Sequence, residues 1–354
     1  MTFRHFTAIA LISLGITTTA MAKQKLYVLS SEGQDITVID VATNKIIGSI
    51  EVGDRPHGIA APRTQDVLYI ATEHDNGLTV VDPRTDTVTK KYSVGRRPNE
   101  IDVTSDGRFI YFPILKDGVY QVFDTLEEKI IAEFPTDGLP HNAVISPDDK
   151  FAYLSPMDRG TTPALVMMAA GYPSSENEKI YVVDVSTHEV IATIDTGGTP
   201  RPIVISRDGK YLYVNRDGLQ GFVVLDLQER KMISSIEYDL TDRERAIPSR
   251  SHGLFAAPNG RHLWVSDVNN GLVFLFDLTQ TPPKQIARIE TGVPVYWMTG
   301  TPDGKTVYTS SAGGDRITAI DTATLEVTAT IEMRKGSAPK RMLVLDVPEG
   351  DSDS

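Results

Sequence analysis

Three of the seven histidines in this chain occupy the same position of an internal repeat. His57, His141 and His252 each lie 12 residues before an aromatic residue in a short apolar run. Neutral imidazole nitrogens are good ligands for copper and zinc, and several imidazoles that lie close together can share such an ion. The spacing therefore predicts a copper or zinc site. We include His74 in it, because this residue lies in a loop that we expect to open onto the same face.

The same repeat position carries polar or amphipathic residues in the other units. Counting 12 residues back from each aromatic gives Asn99, Arg201 and Tyr296, and the last unit contributes Lys340 after Pro339. Arg250, Trp297 and Arg341 adjoin this set. Cations clustered in a protein of net charge −12 focus anions at a concave site, so a small anion is a second candidate ligand. A third interpretation is that these polar side chains are hydrated and bind no ligand.

A repeat of about 42 residues positions these side chains. An aromatic residue and a later aspartate mark each unit, and six of the seven intervals between them are 13 residues long. The aromatics are Tyr27, Tyr69, Tyr111, Tyr153, Tyr213, Trp264 and Tyr308, and the aspartates are Asp40, Asp82, Asp124, Asp184, Asp226, Asp277 and Asp321. We expect these aspartates to cap turns rather than to take part in catalysis.

Each repeat contains four short apolar runs with turn residues between them, which is typical of β-strands. Four strands in a period of 40 to 50 residues indicate the blade of a β-propeller. The N-terminus supplies three strands without a first one, and the C-terminus ends in a single run at 341–346. We therefore predict an all-β protein, a seven-bladed β-propeller with four-stranded antiparallel blades, in which the C-terminal strand pairs with the N-terminal strands and closes the last blade.

The repeat resembles that of the YVTN family of bacterial β-propellers. The similarity is carried by Val52-Gly53 with Pro56-His57-Gly58-Ile59-Ala60, by Tyr213-Val214-Asn215 and by Val38-Ile39-Asp40-Val41-Ala42-Thr43. It extends over residues 25–347, although the literal YVTN tetrapeptide is absent. The resemblance implies the propeller fold and little about activity.

Two insertions interrupt the repeat, and both are expected on the histidine side of the ring. One adds 18 residues within 157–178, including Ala164-Leu165-Val166-Met167-Met168, and the other adds nine residues between Tyr238 and Ser251. Long loops in compact domains are often lids or binding loops. We expect the 157–178 insertion to cover the mouth of the channel or to dock a periplasmic protein partner, and the alternative is that it folds back on its own blade.

The first 22 residues are typical of a secretory signal peptide. Arg4 and His5 precede an apolar run that is too short to span a bilayer, and Ala20-Met21-Ala22 provides a small-x-small cleavage site. We therefore predict a signal peptide at 1–22, a propeller at 23–348, an acidic disordered tail at 349–354 and a soluble, monomeric periplasmic protein. The chain has no cysteine, which excludes disulfides and thiolate ligands. Its negative charge argues against nucleic acid as a partner.

These features favour a periplasmic protein that binds a small ligand or metal ion at the channel mouth in a binding or accessory role. A copper-dependent oxidoreductase is the alternative, since the mouth is similar to that of the periplasmic copper propellers, although nitrous oxide reductase has seven histidines there. A lactonase-type hydrolase is a third possibility. Those propellers often carry Pro-Arg-His at the rim, where this chain has Pro200-Arg201-Pro202.

The metal hypothesis predicts a pH-dependent gain in thermal stability. We expect copper or zinc to raise the melting temperature at neutral pH. The gain should fade toward pH ~5, because imidazoles with an ordinary pKa of about 6.5 then bind protons instead of the ion. Differential scanning fluorimetry on tag-free protein measures the effect. A triple alanine variant at His57, His141 and His252 should abolish it, and a metal response that survives in this variant would place the ion elsewhere.

Overall fold

The computed structural model describes residues 23–157, 178–292 and 294–347. Its 28 strands form seven sheets of four strands each. The N-terminal strands are β1 (Lys23–Ser30), β2 (Asp35–Asp40) and β3 (Lys45–Glu51). Blade 1 follows with β4 (Pro56–Ala60), β5 (Leu68–Thr72), β6 (Gly77–Asp82) and β7 (Thr87–Ser93), and blade 2 with β8 (Asp102–Val103), β9 (Phe109–Ile114), β10 (Val119–Asp124) and β11 (Lys129–Pro135).

The remaining blades continue this order along the chain. Blade 3 contains β12 (Leu139–Ile145), β13 (Phe151–Met157), β14 (Lys179–Asp184) and β15 (Glu189–Asp195). Blade 4 contains β16 (Pro200–Ile205), β17 (Tyr211–Arg216), β18 (Gly221–Asp226) and β19 (Lys231–Glu237). Blade 5 contains β20 (Ser251–Ala256), β21 (His262–Asp267), β22 (Leu272–Asp277) and β23 (Lys284–Glu290). Blade 6 contains β24 (Met298–Gly300), β25 (Thr306–Ser311), β26 (Arg316–Asp321) and β27 (Val327–Glu332), and the chain ends in β28 (Pro339–Val347).

The last strand closes the ring, as the sequence predicted. β28 pairs antiparallel with β1, from Lys23 opposite Val347 to Ser30 opposite Pro339, and with β2 and β3 it completes blade 7. The first strands of neighbouring blades contact one another in a continuous circle, from β4 through β8, β12, β16, β20 and β24 to β28 and back to β4. The protein is thus a closed seven-bladed β-propeller whose first strands line the channel.

The repeat aromatics form the core between blades. All seven are at most 8 % exposed, and several hydroxyl groups reach the neighbouring blade. The Tyr27 hydroxyl donates to Asp86 Oδ1 of blade 1 at 2.8 Å, and the Tyr308 hydroxyl donates to Asn44 Oδ1 of blade 7 at 2.9 Å. The aromatic spacing therefore marks the residues that join one blade to the next.

The repeat aspartates cap turns, as predicted. In each of the seven units, a side-chain oxygen of the aspartate accepts a hydrogen bond from a backbone amide two or three residues later. In blade 7, for example, the Thr43 amide donates to Asp40 Oδ1 at 2.9 Å. These carboxylates are engaged in turns at the ends of the third strands, which accounts for their regular spacing without catalysis.

The two insertions occur where the repeat predicted them. The longer one separates β13 from β14, and its interior, 158–177, lies outside the described residues, as do the predicted signal peptide at 1–22 and the tail after Val347. The shorter one contains the helix α1 (Asp242–Arg245), which the strand pattern did not predict. A capping box between Thr241 and Glu244 forms its first turn. In the described part of the chain, no helix has the length and apolarity needed to cross a membrane.

Ring closure predicts different outcomes for two truncations. Ending the chain after Ala338 removes β28 and exposes the edge and buried faces of β1, so we expect aggregation and loss of the cooperative melt. Ending the chain after Val347 removes only the tail and should leave the melting temperature unchanged. Size-exclusion chromatography and circular dichroism measure both. A monomeric Ala338 truncation with the wild-type melt would contradict closure through β28.

Candidate functional site at the channel mouth

Strand register brings seven repeat positions to one end of the channel. The repeat aromatic pairs with the residue three positions after the predicted rim residue, as in Tyr69 opposite Ala60 and Tyr27 opposite Leu343. Lys340 is therefore the blade 7 equivalent of His57, which confirms its assignment. These seven positions, which we call the rim, are His57, Asn99, His141, Arg201, His252, Tyr296 and Lys340. In five blades the pairing is irregular at the rim residue, and such bulges redirect side chains.

A set of charged residues that the sequence analysis did not select surrounds the rim. Together with the rim, Trp297, Arg250 and Arg341, they form what we call the mouth. The additional members are Arg55, Glu73, Arg97, Glu100 and Asp217. Most of these side chains are partly or fully buried, so their charges interact more strongly than they would at an exposed surface.

Glu73 is the centre of one half of the mouth. Its side chain is 3 % exposed and lies 3.1 Å from Arg55 Nε and 3.0 Å from Arg97 Nη2. Asn99 Nδ2 donates to Glu73 Oε1 at 2.6 Å, and His57 Nδ1 lies 3.3 Å from the same oxygen. Burial opposes ionisation of Glu73, but His57 and the two guanidinium groups hold the pKa of this carboxyl below its usual range.

An ion pair between Arg341 and Glu100 joins blade 7 to blade 2. Arg341 Nη2 of blade 7 donates to Glu100 Oε2 of blade 2 at 2.5 Å, and Glu100 is 1 % exposed. Blade 1 lies between them, and its residue at this level is Gly58. A Cβ there would lie 2.2 Å from the carbonyl oxygen of Asn99, so no side chain fits at this position. Gly58 thus lets blade 1 approach the backbone of blade 2 closely, at the level where Arg341 reaches Glu100.

The same guanidinium group stacks on Trp297 of blade 6. Arg341 Cζ lies 3.9 Å from the centre of the indole ring, within the range of a cation–π contact. Burial raises the pKa of the Glu100 carboxyl to about 7, although Arg341 opposes this shift. Blades 6, 7 and 2 are thus joined through one side chain at the mouth.

Tyr296 lies beside two cations on the other side of the mouth. Arg250 Cζ is 5.8 Å and Lys340 Nζ is 5.9 Å from the centre of its ring. Among the residues that the structure describes, neither cation forms an ion pair with a carboxylate. By contrast, Arg201 at the blade 4 rim pairs with Asp217 at 2.9 Å. Arg250 and Lys340 are therefore the cations left to attract an external anion.

Burial keeps the three rim histidines neutral at neutral pH. Desolvation lowers the pKa of His57 to about 4, against the opposing effect of Glu73. Burial also lowers the pKa of His141, with Arg201 adding to the effect, and that of His252, with Arg250 adding to it. The imidazoles therefore offer neutral nitrogens and hydrogen bonds, and the positive charge of the mouth comes from arginine and lysine.

The metal-ligand set is not assembled in this arrangement. Within 23–157, 178–292 and 294–347, no three His, Cys, Asp or Glu side chains are grouped so that they could hold a metal ion. His252 Nδ1 lies 3.2 Å from the carbonyl oxygen of Tyr296, and the exposed His74 contacts Asp54 at 3.1 Å. A shared ion would require these side chains to rearrange. The metal site stays a prediction, and the low histidine pKa values would move proton competition below the pH expected from the sequence.

Several buried polar atoms of the mouth have no partner among the residues described. Asn99 Oδ1, Glu100 Oε1, His141 Nδ1, Trp297 Nε1 and Arg341 Nε have no hydrogen-bond partner in the described part of the protein. Buried polar groups in native proteins are nearly always paired with protein, water or ligand. These atoms are shielded from solvent, so a molecule in the channel can pair with them only where the side chains around them move aside.

One repeat position could have identified part of this network from the sequence. Glu73 and Asp217 both lie four residues after a repeat aromatic, and each pairs with its own blade's rim residue, His57 or Arg201. No comparable spacing marks Glu100, because its partner Arg341 is 241 residues away.

Comparison with known proteins identifies the fold alone. No protein-family profile matches the chain, and no curated protein sequence does, so the resemblance to the YVTN family stays a prediction. Hydrazine synthase of Kuenenia stuttgartiensis is 19 % identical with a TM-score of 0.72, over 90 % of this chain and 100 % of that one. A periplasmic gluconolactonase of Pseudomonas aeruginosa is 16 % identical with a TM-score of 0.71, over 92 % and 99 %.

A third structure, the dihydro-heme d1 dehydrogenase NirN, is 16 % identical with a TM-score of 0.62. The match extends over 88 % of this chain and 64 % of that one. All three share the propeller at identities below 25 %. These proteins have the same fold and different activities, so the fold does not indicate what this chain does.

The buried ion pair predicts a destabilised, pH-sensitive variant. Arg341→Leu leaves Glu100 without its partner and should cost about 3 kcal/mol of unfolding free energy. The loss should be largest above the Glu100 pKa of about 7 and smaller at pH ~5, because a carboxyl with a raised folded-state pKa stabilises the fold when protonated. Urea unfolding at several pH values measures it.

Two further variants make this test specific. Adding Glu100→Gln to Arg341→Leu should restore most of the loss, since no buried charge is left unpaired. Arg334→Leu, which removes a 56 % exposed arginine paired with Asp35, should cost less than about 1 kcal/mol at every pH. Equal losses for Arg341→Leu and Arg334→Leu would show that the pair between blades 7 and 2 has no special role.

Proposed function

We propose that this protein binds a small organic anion at the channel mouth and acts in the periplasm as a binding or accessory protein. The observation that carries the proposal is the pair of cations beside Tyr296. Arg250 and Lys340 have no carboxylate partner among the described residues, whereas Arg201 and Arg341 are paired. Two such cations in a concave site attract an anion even though the whole chain has a net charge of −12.

The partly buried position of Lys340 supports a ligand rather than bulk solvent as its partner. Burial lowers the pKa of its amine, with Arg55 adding to the effect and Glu73, Glu32 and Glu100 opposing it. An anion bound next to Lys340 would replace part of the lost hydration and favour the charged amine. The exposed Arg250 then extends the positive surface outward from the mouth, where it can attract the ligand from solution.

The location is supported by the sequence and by one structural neighbour. The first 22 residues have the pattern of a secretory signal peptide, and the Pseudomonas neighbour is described as periplasmic. The 157–178 insertion begins at Met157, the last residue of β13. The sulfur atom of Met157 lies 3.1 Å from Arg201 Nη1. This contact supports the proposal that the insertion reaches the mouth, where it can cover the ligand or dock a periplasmic partner.

The other functions proposed from the sequence require different chemistry at the same place. A copper-dependent oxidoreductase needs the rim histidines to converge on an ion. A lactonase-type hydrolase needs a group that activates water. The Pseudomonas neighbour, a gluconolactonase, is a further reason to consider this function. His57 Nε2 lies 4.0 Å from Glu100 Oε1, which is longer than the hydrogen bond that proton transfer requires.

The anion proposal predicts binding that depends on two specific cations. In isothermal titration calorimetry with a panel of aliphatic, aromatic and hydroxylated carboxylates, sulfate and phosphate, we expect at least one organic anion to bind. Arg250→Ala/Lys340→Ala should weaken it by at least about tenfold, since a hydrogen bond to a charged group contributes about 1.5–3 kcal/mol. Higher ionic strength should weaken binding as well.

A matched control removes the same charge elsewhere. Arg84 and Lys305 form ion pairs with Asp82 and Asp303 in turns at the ends of strands opposite the mouth, so Arg84→Ala/Lys305→Ala should bind the anion as the wild type does. Both double variants should fold, which thermal melts will verify. Equal weakening in the two would indicate a general charge effect, and a panel without any ligand would refute the proposal.

A further inference from the structure

The unpartnered atoms of the mouth point to the chemical class of the anion. We propose that the mouth binds a monocarboxylate that carries several hydroxyl groups, with the carboxylate next to Tyr296 and the hydroxyl groups toward blade 2. This inference rests on the anion binding proposed above. It adds a second, neutral part of the site formed by Asn99, Glu100, Trp297 and Arg341, whose partnerless atoms are buried in the mouth.

Two acceptors define the inner side of this site. Asn99 Nδ2 donates to Glu73 Oε1 at 2.6 Å. Because a carboxylate can only accept, this contact fixes the orientation of the amide and leaves Asn99 Oδ1 free to accept. Glu100 accepts a hydrogen bond from Arg341 through Oε2, so when this carboxyl is ionised its Oε1 atom is the second free acceptor. The ligand must therefore supply hydrogen-bond donors.

Two donors lie beside these acceptors. Trp297 Nε1 is buried without a partner, as is Arg341 Nε, whose guanidinium group stacks on the same indole ring. An indole N–H and a guanidinium N–H can only donate, so the ligand must accept hydrogen bonds as well. A hydroxyl group is both a donor and an acceptor, and several hydroxyl groups on one chain would satisfy both sets.

The surrounding charge argues against other donors. An ammonium group would also donate to Asn99 and Glu100, but Arg341 lies 2.5 Å from the Glu100 carboxylate, and Arg55 and Arg97 surround Glu73. A cationic ligand would be repelled by these arginines and by Lys340. An unsubstituted aliphatic carboxylate would satisfy the outer cations but leave the inner atoms unpaired, which is unfavourable.

Three ligands of similar size separate the two parts of the site. Gluconate has the carboxylate and the hydroxyl groups, hexanoate has only the carboxylate, and sorbitol has only the hydroxyl groups. By calorimetry on the wild-type protein, we expect gluconate to bind at least roughly tenfold more tightly than hexanoate, as expected for one or two additional hydrogen bonds. Sorbitol should bind more weakly than either. The shorter hydroxycarboxylates glycerate and threonate should bind with lower affinity than gluconate, because they span less of the mouth.

A tryptophan pair provides the matched variants. Trp297→Phe removes one donor while keeping an aromatic ring under Arg341, and it should weaken gluconate by roughly fivefold to tenfold without changing hexanoate binding. Trp264→Phe alters the other tryptophan, which is buried in the core between blades 5 and 6, and should change neither affinity. Melting curves verify that both variants fold.

The possible outcomes distinguish this inference from the proposed function. If gluconate and hexanoate bind equally, or Trp297→Phe weakens both alike, the inner atoms are satisfied by water and the hydroxyl-binding site is refuted, while anion binding stands. If another anion of the earlier panel binds but neither of these does, the ligand class is wrong. If no anion binds at all, the proposed function fails together with this inference.

Discussion

The pairing of β28 with β1 is the constraint on which the rest of this structure depends. Each blade buries its repeat aromatics against a neighbour, so an open ring would leave the faces of two blades without a partner. β28 pairs with β1 from Pro339 opposite Ser30 to Val347 opposite Lys23, with one irregularity at Lys340 and Arg341. The same strand carries Lys340 and Arg341, so closing the fold and completing the mouth are one event.

The mouth is chemically asymmetric although the fold is a repeat. On the side of blades 1 and 2, Glu73 and Glu100 are buried and engaged by arginines. On the side of blades 5 to 7, the cations beside Tyr296 have no such partner among the described residues. A ring of equivalent positions thus presents a neutralised half and a positive half. Such an arrangement orients a ligand that has one charged end.

The sequence predicted the ring and the rim because both follow from strand periodicity. The interval between aromatics sets the blade length, and counting back from each aromatic located His57 and, in blade 7, Lys340. The aspartate caps were predictable for the same reason, since the carboxylate and the amide it caps are only two or three residues apart.

The ion pairs of the mouth could not be predicted in this way. Partner choice there depends on the direction of each side chain, as adjacent residues show: Glu73 is 3 % exposed and faces the mouth, whereas His74 is 45 % exposed and contacts Asp54. The contact between Arg341 and Glu100 also joins two residues that are 241 positions apart, in blades 7 and 2. Neither condition is visible in a repeat pattern. The histidines were therefore located correctly at the rim without their partners being known.

β28 follows all the other strands in the sequence, so the mouth is completed late in synthesis. A ribosome makes this strand after the other 27, so a growing chain that has not reached it contains most of the rim but lacks Lys340 and Arg341. Until β28 has been made, Glu100 has no guanidinium partner from blade 7, and one of the two cations beside Tyr296 is missing. Such a chain therefore cannot assemble the mouth.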